Sequence, residues 1–263
     1  MADLSPDARA VIDGTHSDPF RYLGRHVENG RAVVRALLPD AARVAAVFAS
    51  GQESELARIH DIGLFAGAVP SSDEPYRLRV RYAENEVEFE DAYRFWPVIS
   101  EFDLYLLGEG NHLRLYDVLG AHPIEHQGVA GVAFAVFAPG AKRVSVVGDF
   151  NGWDGRRHAM RVRGNGFWEI FVPGARVGDR YKYEIVAYSG ALLPLKADPV
   201  AFAAEVRPDT ASIVVDASEL PRPAVSLGEL PACLRKNSSS NALPRANGCV
   251  RCGAATLCCS FGP

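Results

Sequence analysis

The chain has 263 residues, of which 48 % are apolar and 23 % charged, and a net charge of -4, enough for one large or two ordinary domains with real cores. The slight acidity offers no electrostatic attraction to nucleic acid or to an anionic membrane, and no segment approaches membrane-spanning length. Asp3 and Asp7 stand where a signal peptide would carry basic residues, so the expected compartment is the cytoplasm.

Ser5-Pro6-Asp7 opens a short helix that stops at Gly14, with a serine cap and a proline in the first turn. Residues 18–26 read as a loop with aromatic anchors. Strands are predicted at 32–38, 44–48, 64–69, 76–82 and 87–89. The run Tyr76-Arg-Leu-Arg-Val-Arg-Tyr82 alternates, which puts Tyr76, Leu78, Val80 and Tyr82 on the core face and Arg77, Arg79 and Arg81 in water. Short strands with turns between them imply a β-sandwich. Ser100 caps a predicted helical connector over 100–107 that Gly108 ends, and a short turn at 112–119 follows.

The chain then repeats itself. Tyr22-Leu-Gly-Arg-His26 matches Val118-Leu-Gly-Ala-His122. Leu37-Leu-Pro39-Asp-Ala-Ala-Arg-Val44 matches Phe137-Ala-Pro139-Gly-Ala-Lys-Arg-Val144, Pro75-Tyr-Arg-Leu-Arg-Val80 matches Arg180-Tyr-Lys-Tyr-Glu-Ile185, and Asp91-Ala-Tyr-Arg-Phe95 matches Asp198-Pro-Val-Ala-Phe202. Four matches in the same order imply two tandem sandwiches of about 100 residues each. In the second, the strand at 132–138 carries Val132, Phe134 and Val136 on one face and alanines with Phe137 on the other, which suits a strand covered on both sides. After Pro139-Gly140 comes a β-branched run at 144–147, and Gly148-Asp149-Phe150-Asn151-Gly152 then turns the backbone and presents Trp153. Strands at 167–172, 181–186 and 212–216 complete the copy. All five cysteines lie in the remaining 47 residues, with a serine run, five prolines and no tyrosine or tryptophan, so this tail is expected to be disordered.

The second copy resembles the starch- and glycogen-binding module that precedes the barrel in α-amylase-superfamily enzymes acting at α-1,6 branches. Both copies together resemble the N-terminal half of a bacterial 1,4-α-glucan (glycogen) branching enzyme. The motifs are Gly14-Thr-His-Ser-Asp-Pro-Phe20, Glu109-Gly-Asn-His-Leu-Arg-Leu-Tyr116, Val118-Leu-Gly-Ala-His122, Phe134-Ala-Val-Phe-Ala-Pro139, Val146-Val-Gly-Asp-Phe-Asn-Gly-Trp-Asp-Gly-Arg-Arg-His158, Tyr181-Lys-Tyr-Glu-Ile185 and Leu192-Leu-Pro-Leu-Lys-Ala-Asp-Pro199. In that family a (β/α)8 barrel follows and carries the carboxylates of a retaining glycosyl transfer. Such a barrel needs roughly 250 residues, so it is expected to be absent here, with no catalytic residues, no cofactor and no branching activity by this chain alone. A truncated or frame-shifted reading after about Asp216 accounts for the unusual tail.

The resemblance implies α-glucan as partner and Trp153, Lys182, Asn151 and Asp154 as the residues that meet it. An indole matches the apolar face of a sugar ring, and such a contact buries area worth ~1–3 kcal/mol. Lys182, on the solvent face of its strand, would hydrogen-bond hydroxyls opposite the tryptophan loop. Trp153 closing the end of the sandwich is the competing role, an ordinary exposed lysine that of Lys182, and turn formation would account for Asn151, Asp149 and Asp154. A second aromatic platform carried by related modules near Leu192-Leu193 is missing, which points to weak binding. Trp96 and Trp168 are expected in the core. His122 and His126 are not a metal pair, and Cys249-x-x-Cys252 with Cys258-Cys259 lacks zinc-ribbon spacing, so no metal is expected.

The sequence therefore predicts an all-β chain: an N-terminal helix (1–13), a first immunoglobulin-like β-sandwich (14–98), a short helical connector (99–119), a second sandwich (120–216) and a disordered tail (217–263). Its function is the non-catalytic, glucan-positioning part of a branching enzyme. The alternatives are a stand-alone glycogen-binding regulatory module and a protein-interaction sandwich pair. The surface that a barrel would cover is expected to favour self-association.

Overall fold

The computed structural model describes residues 4–219. The cysteine-bearing tail, with the expectations of disorder and of no zinc attached to it, lies outside the described residues. Ser5 Oγ accepts the Ala8 N–H at 3.1 Å and starts α1 (Pro6–Ile12), whose Ala8 and Val11 face the core.

Seven strands follow: β1 (Gly24–Glu28), β2 (Arg31–Leu37), β3 (Arg43–Phe48), β4 (Glu53–His60), β5 (Leu64–Val69), β6 (Tyr76–Arg81) and β7 (Glu86–Glu90). Their order is β1-β2-β5-β4-β3-β6-β7, every pair antiparallel. Strand β4 gives its first half to β3 and its second half to β5, so it joins the two layers. Its only fully buried residue is Leu56, which is why no alternation announced it. Strand β1 escaped the sequence for the same reason, with Val27 75 % exposed. Tyr76, Leu78 and Val80 face the core as expected, and Arg77 and Arg79 instead ladder across Glu53, Glu88 and Glu90 on the outer surface.

The connector is α2 (Glu101–Gly108), capped by Ser100 Oγ on the Asp103 N–H. The second sandwich contains β8 (Gly120–His126), β9 (Val129–Phe137), β10 (Ala141–Gly148), β11 (Arg161–Val162), β12 (Phe167–Pro173), β13 (Arg180–Ala187), β14 (Ala203–Ala204) and β15 (Ser212–Ile213). One sheet runs β11-β12-β9-β8 and the other β10-β13-β15-β14. Pro123 sits in β8 because β8 is an edge strand and pairs only with β9. Val132, Phe134, Val144, Val146, Trp168, Tyr181 and Tyr183 fill the core. The alanine face of β9 is covered as its composition required: Ala133 meets Phe95 and Phe171, and Ala135 meets Leu104 and Phe167. Trp96 corrects the sequence reading. Its neighbour Phe95 takes the buried place, and the Trp96 ring is 74 % exposed while its carbonyl meets His126 Nε2 at 3.0 Å.

The repeat recurs bond for bond. Tyr76 Oη donates to Asp91 Oδ2 at 2.5 Å in the first sandwich, and Tyr181 Oη donates to Asp198 Oδ2 at 2.7 Å in the second. The other oxygen of each aspartate accepts a backbone N–H two residues on, from Tyr93 and Val200. His26 Nε2 lies 2.9 Å from the Leu23 carbonyl and His122 Nε2 lies 3.0 Å from that of Leu119. Burial raises the pKa of both aspartates, against the hydrogen bonds that favour their charge.

The sandwiches are joined by groups from both. Phe20 packs edge-on against Tyr93 at 4.9 Å, and the Arg161 guanidinium lies 3.9 Å from the Phe20 centroid. Tyr93 Oη accepts the Ala159 N–H at 3.0 Å. Glu169, 3 % exposed, accepts the Val98 and Ile99 N–H groups at 2.8 Å and pairs with Arg163, so its buried charge is satisfied.

The two Tyr–Asp pairs differ in redundancy, because Asp198 Oδ2 also accepts from Tyr183 Oη at 3.2 Å whereas Asp91 Oδ2 accepts from Tyr76 alone among the described residues. Tyr76→Phe is therefore expected to destabilise the chain by about 1–2 kcal/mol, and Tyr181→Phe by distinctly less. Urea denaturation of both variants checks the order, and equal losses would contradict it.

Candidate functional site

The tryptophan loop grows out of the end of β10. Gly148 is required there because a Cβ would come 2.3 Å from the Arg180 carbonyl of β13. The chain then turns through residues 149–151 and enters the left-handed region at Gly152 (φ +64°) and again at Trp153 (φ +62°). For a residue with a side chain that conformation costs roughly 1–2 kcal/mol, so something must hold it.

Asn151 does so. It is 6 % exposed, and its Oδ1 accepts the Gly148 N–H at 2.9 Å and the Trp153 N–H at 3.2 Å. Its Nδ2 donates to the Val146 carbonyl and to His158 Nδ1, both at 2.9 Å. Asn151, expected from the sequence to meet sugar hydroxyls, has both polar atoms of its amide bonded inside the loop, where it positions the Trp153 backbone. The Trp153 N–H also reaches the Gly148 carbonyl at 3.1 Å, and the indole Nε1–H donates to Asp149 Oδ1 at 3.3 Å. Asp149 in turn is clamped by Arg180, with Nε at 3.0 Å and Nη2 at 3.1 Å, and that guanidinium holds its carboxyl below the usual carboxylate range. Trp153 is half-buried rather than sealed in the core.

His158 completes the loop. Since Asn151 Nδ2 is fixed as a donor by the Val146 carbonyl, His158 Nδ1 acts as the acceptor and the ring is neutral. Burial, helped by the neighbouring Arg157 charge, pushes its pKa down to about 4.

Asp154 is likewise bonded within the loop. Arg156 grips its carboxylate with Nε and Nη2 at 2.9 and 2.7 Å, and the Arg156 N–H adds a third bond at 2.9 Å. Burial works to raise its pKa, and these bonds outweigh it and hold the carboxyl low. Asp154 braces the loop and has little left for a hydroxyl. Lys182 keeps a usable head: it is half-buried in β13, and Nζ donates to Thr210 Oγ1 at 2.8 Å, leaving two ammonium protons. Lys182 pairs in register with Val147, next to the Gly148 whose carbonyl holds Trp153. The paired strands thus bring Trp153 and Lys182 to one end of the same sheet.

Sequence reasoning missed Arg180 and His158 as supports. Arg180 immediately precedes the repeat's tyrosine, and His158 closes the matched tryptophan-loop motif, but its role depends on the segment 158–160 pairing back onto β10. Among the described residues no group of His, Cys, Asp and Glu is placed to hold a metal ion, and no helix is long and apolar enough to cross a membrane.

Two family matches cover the chain in order. Residues 5–93 match the N-terminal domain of the alpha-1,4-glucan branching enzyme GlgB, and residues 118–201 match carbohydrate-binding module 48, the isoamylase N-terminal domain. The 1,4-alpha-glucan branching enzyme GlgB of Nitrobacter winogradskyi is 61 % identical over 223 residues, which are 85 % of this chain and 31 % of that protein. That of Nitrobacter hamburgensis is 63 % identical over the same shares. The chain therefore spans about a third of the length of the curated relatives it matches. A solved structure of the pullulanase complexed with maltotetraose from Anoxybacillus sp. LM18-11 aligns with 78 % of this chain and 28 % of its own, at 18 % identity and a TM-score of 0.34. From the two matched segments and their order, the chain belongs to the GlgB 1,4-alpha-glucan branching-enzyme family, as its N-terminal region with a carbohydrate-binding module.

Proposed function

We propose that this chain binds α-1,4-glucan on Trp153 and Lys182, and that in a full-length branching enzyme it would position glucan chains for transfer. The observation that carries the reading is the conformation of Trp153. A half-buried indole is held in a strained left-handed backbone by three hydrogen bonds, within the segment that matches a carbohydrate-binding module. Strain sustained at one such aromatic is typical of a side chain set for contact. Sugar would stack on the indole, and the Lys182 ammonium would donate to ring hydroxyls; Asn151 and Asp154 act through the loop. Leu192, 62 % exposed, supplies no second aromatic face at the position where related modules carry one, so the affinity is expected to be modest.

A second reading is contact with further polypeptide. Trp96, Phe102, Tyr105 and Leu113 are each more than 60 % exposed on or beside the connector, an apolar surface of the kind that marks an interface. Self-association of the isolated chain through it would follow. Sedimentation should then show concentration-dependent association that Phe102→Ser weakens, and a concentration-independent monomer would count against it.

Retardation in glycogen-containing native gels tests the main reading. Trp153→Ala is expected to weaken retardation most and Lys182→Ala to weaken it several-fold. Asn151→Ala should weaken it too, together with a stability loss of about 1–3 kcal/mol for the unpaired loop N–H groups. Unchanged retardation in Trp153→Ala would remove Trp153 from the site.

The loop also predicts a pH dependence. His158 has a folded pKa of about 4 against an ordinary 6.5, so the unfolded state binds the proton first. Its stabilising contribution is complete above pH 6.5 and falls as the pH drops from there toward 4. Glucan retention should persist at pH 5 and disappear below about pH 4. His158→Asn, which keeps an acceptor near the place of Nδ1, should flatten this part of the stability profile. An identical profile in the variant would assign the titration elsewhere.

A further inference from the structure

The two sandwiches enclose a cleft of about 440 Å³ with walls from both, within the size range of small-molecule sites. Tyr82, Val87 and Phe89 line it from the first sandwich, and Phe150, Arg157 and His158 line it from the tryptophan loop of the second. Val87 and Phe89 lie directly opposite Val80 and Leu78 across the β6–β7 ladder, and so on the core face. Val80 and Leu78 are buried, yet Val87 and Phe89 are each 36 % exposed. The edge strand therefore presents two apolar side chains in the cleft that its own core does not cover.

The charges around the cleft are already answered. Glu90 is paired with Arg77 and Arg94, Asp91 accepts from Tyr76 Oη and the Tyr93 N–H, and Arg157 lies 3.8 Å from the Asp154 carboxylate. Two carboxylates stand there against one guanidinium, which disfavours an anionic ligand. The groups left for hydrogen bonding are neutral. Tyr82 Oη takes one long bond from Arg157 Nη1 at 3.4 Å. His158 commits Nδ1 to Asn151, which leaves an Nε2–H with no partner among the described residues. Aromatic faces beside neutral donors and acceptors are what a pyranose requires, with its apolar C–H face and its ring of hydroxyls.

We propose that this cleft is a second carbohydrate subsite, taking a short neutral stretch of glucan between Tyr82 and Phe89 on one side and His158 on the other. The ligand's identity rests on the α-glucan reading above, while the walls are independent of Trp153. Asn151 serves both sites, since it holds the Trp153 N–H with one end of its amide and His158 with the other.

The test is nuclear Overhauser contacts from maltotriose to the rings of Phe89, Tyr82 and Trp153 in the full chain. Contacts to the cleft rings and to the indole are expected in the parent protein. Trp153→Ala should keep the cleft contacts. Val87→Arg places a guanidinium in the cleft from an edge strand and should lose them while keeping those to the indole. Tyr82→Phe retains the ring and removes one hydroxyl, so it should weaken cleft binding about three- to tenfold without changing the indole contacts. This milder variant decides the matter if Val87→Arg fails to fold. Indole contacts without cleft contacts in the parent would overturn the inference and leave the Trp153 platform standing. Cleft contacts without indole contacts would uphold the inference and overturn the platform, and contacts at neither would overturn both.

Discussion

The Asn151 amide is the constraint on which the site depends. Four hydrogen bonds from one buried side chain tie together the end of β10, the backbone of Trp153 and the imidazole of His158. Each has a net worth of about 1 kcal/mol, and leaving a buried partner unmatched costs more than that. One of them reaches the left-handed Trp153 directly, and the other three fix the loop around it. The loop is thus a small, self-consistent network that leaves the indole half-buried at its edge.

The same economy of buried polar groups organises the larger architecture. Each sandwich closes on a tyrosine hydroxyl bonded to a buried aspartate that also receives a backbone N–H two residues on. Where the sandwiches meet, the main-chain N–H groups of the connector are answered by the buried Glu169 carboxylate, and Tyr93 answers the loop after β10. The outer face of β3 and β6 is occupied by arginine–glutamate pairs. At the corresponding place in the second sandwich stand Lys182 and the tryptophan loop. The duplicated scaffold therefore carries a charge-compensated surface in one copy and a candidate sugar surface in the other.

Much of this was legible in the sequence, for identifiable reasons. The alternation in 76–82 and the alanine face of β9 fixed two strands and their covering. The in-order repeat anticipated the paired Tyr–Asp and Gly–His devices, because a duplicated motif keeps its hydrogen bonds. Strands β1 and β4 were invisible, since a strand that buries one residue or none leaves no period-two pattern. Trp96 was misplaced because composition cannot tell which of two adjacent aromatics, Phe95 or Trp96, turns inward. Asn151 and Asp154 were read as groups for sugar hydroxyls, and their hydrogen bonds stay within the loop: a turn-forming amide and a sugar-binding amide look alike until the partners of each polar atom are known.

The account stands or falls on whether the indole that this network holds out is where glucan rests. A crystal structure of the chain grown with maltoheptaose decides it most directly. The account predicts a glucosyl ring stacked about 4 Å from the Trp153 indole, with a hydroxyl in hydrogen-bonding reach of Lys182 Nζ and the Asn151 network unchanged. A glucan ordered elsewhere on the protein, with Trp153 bare or turned into the sandwich, would contradict it.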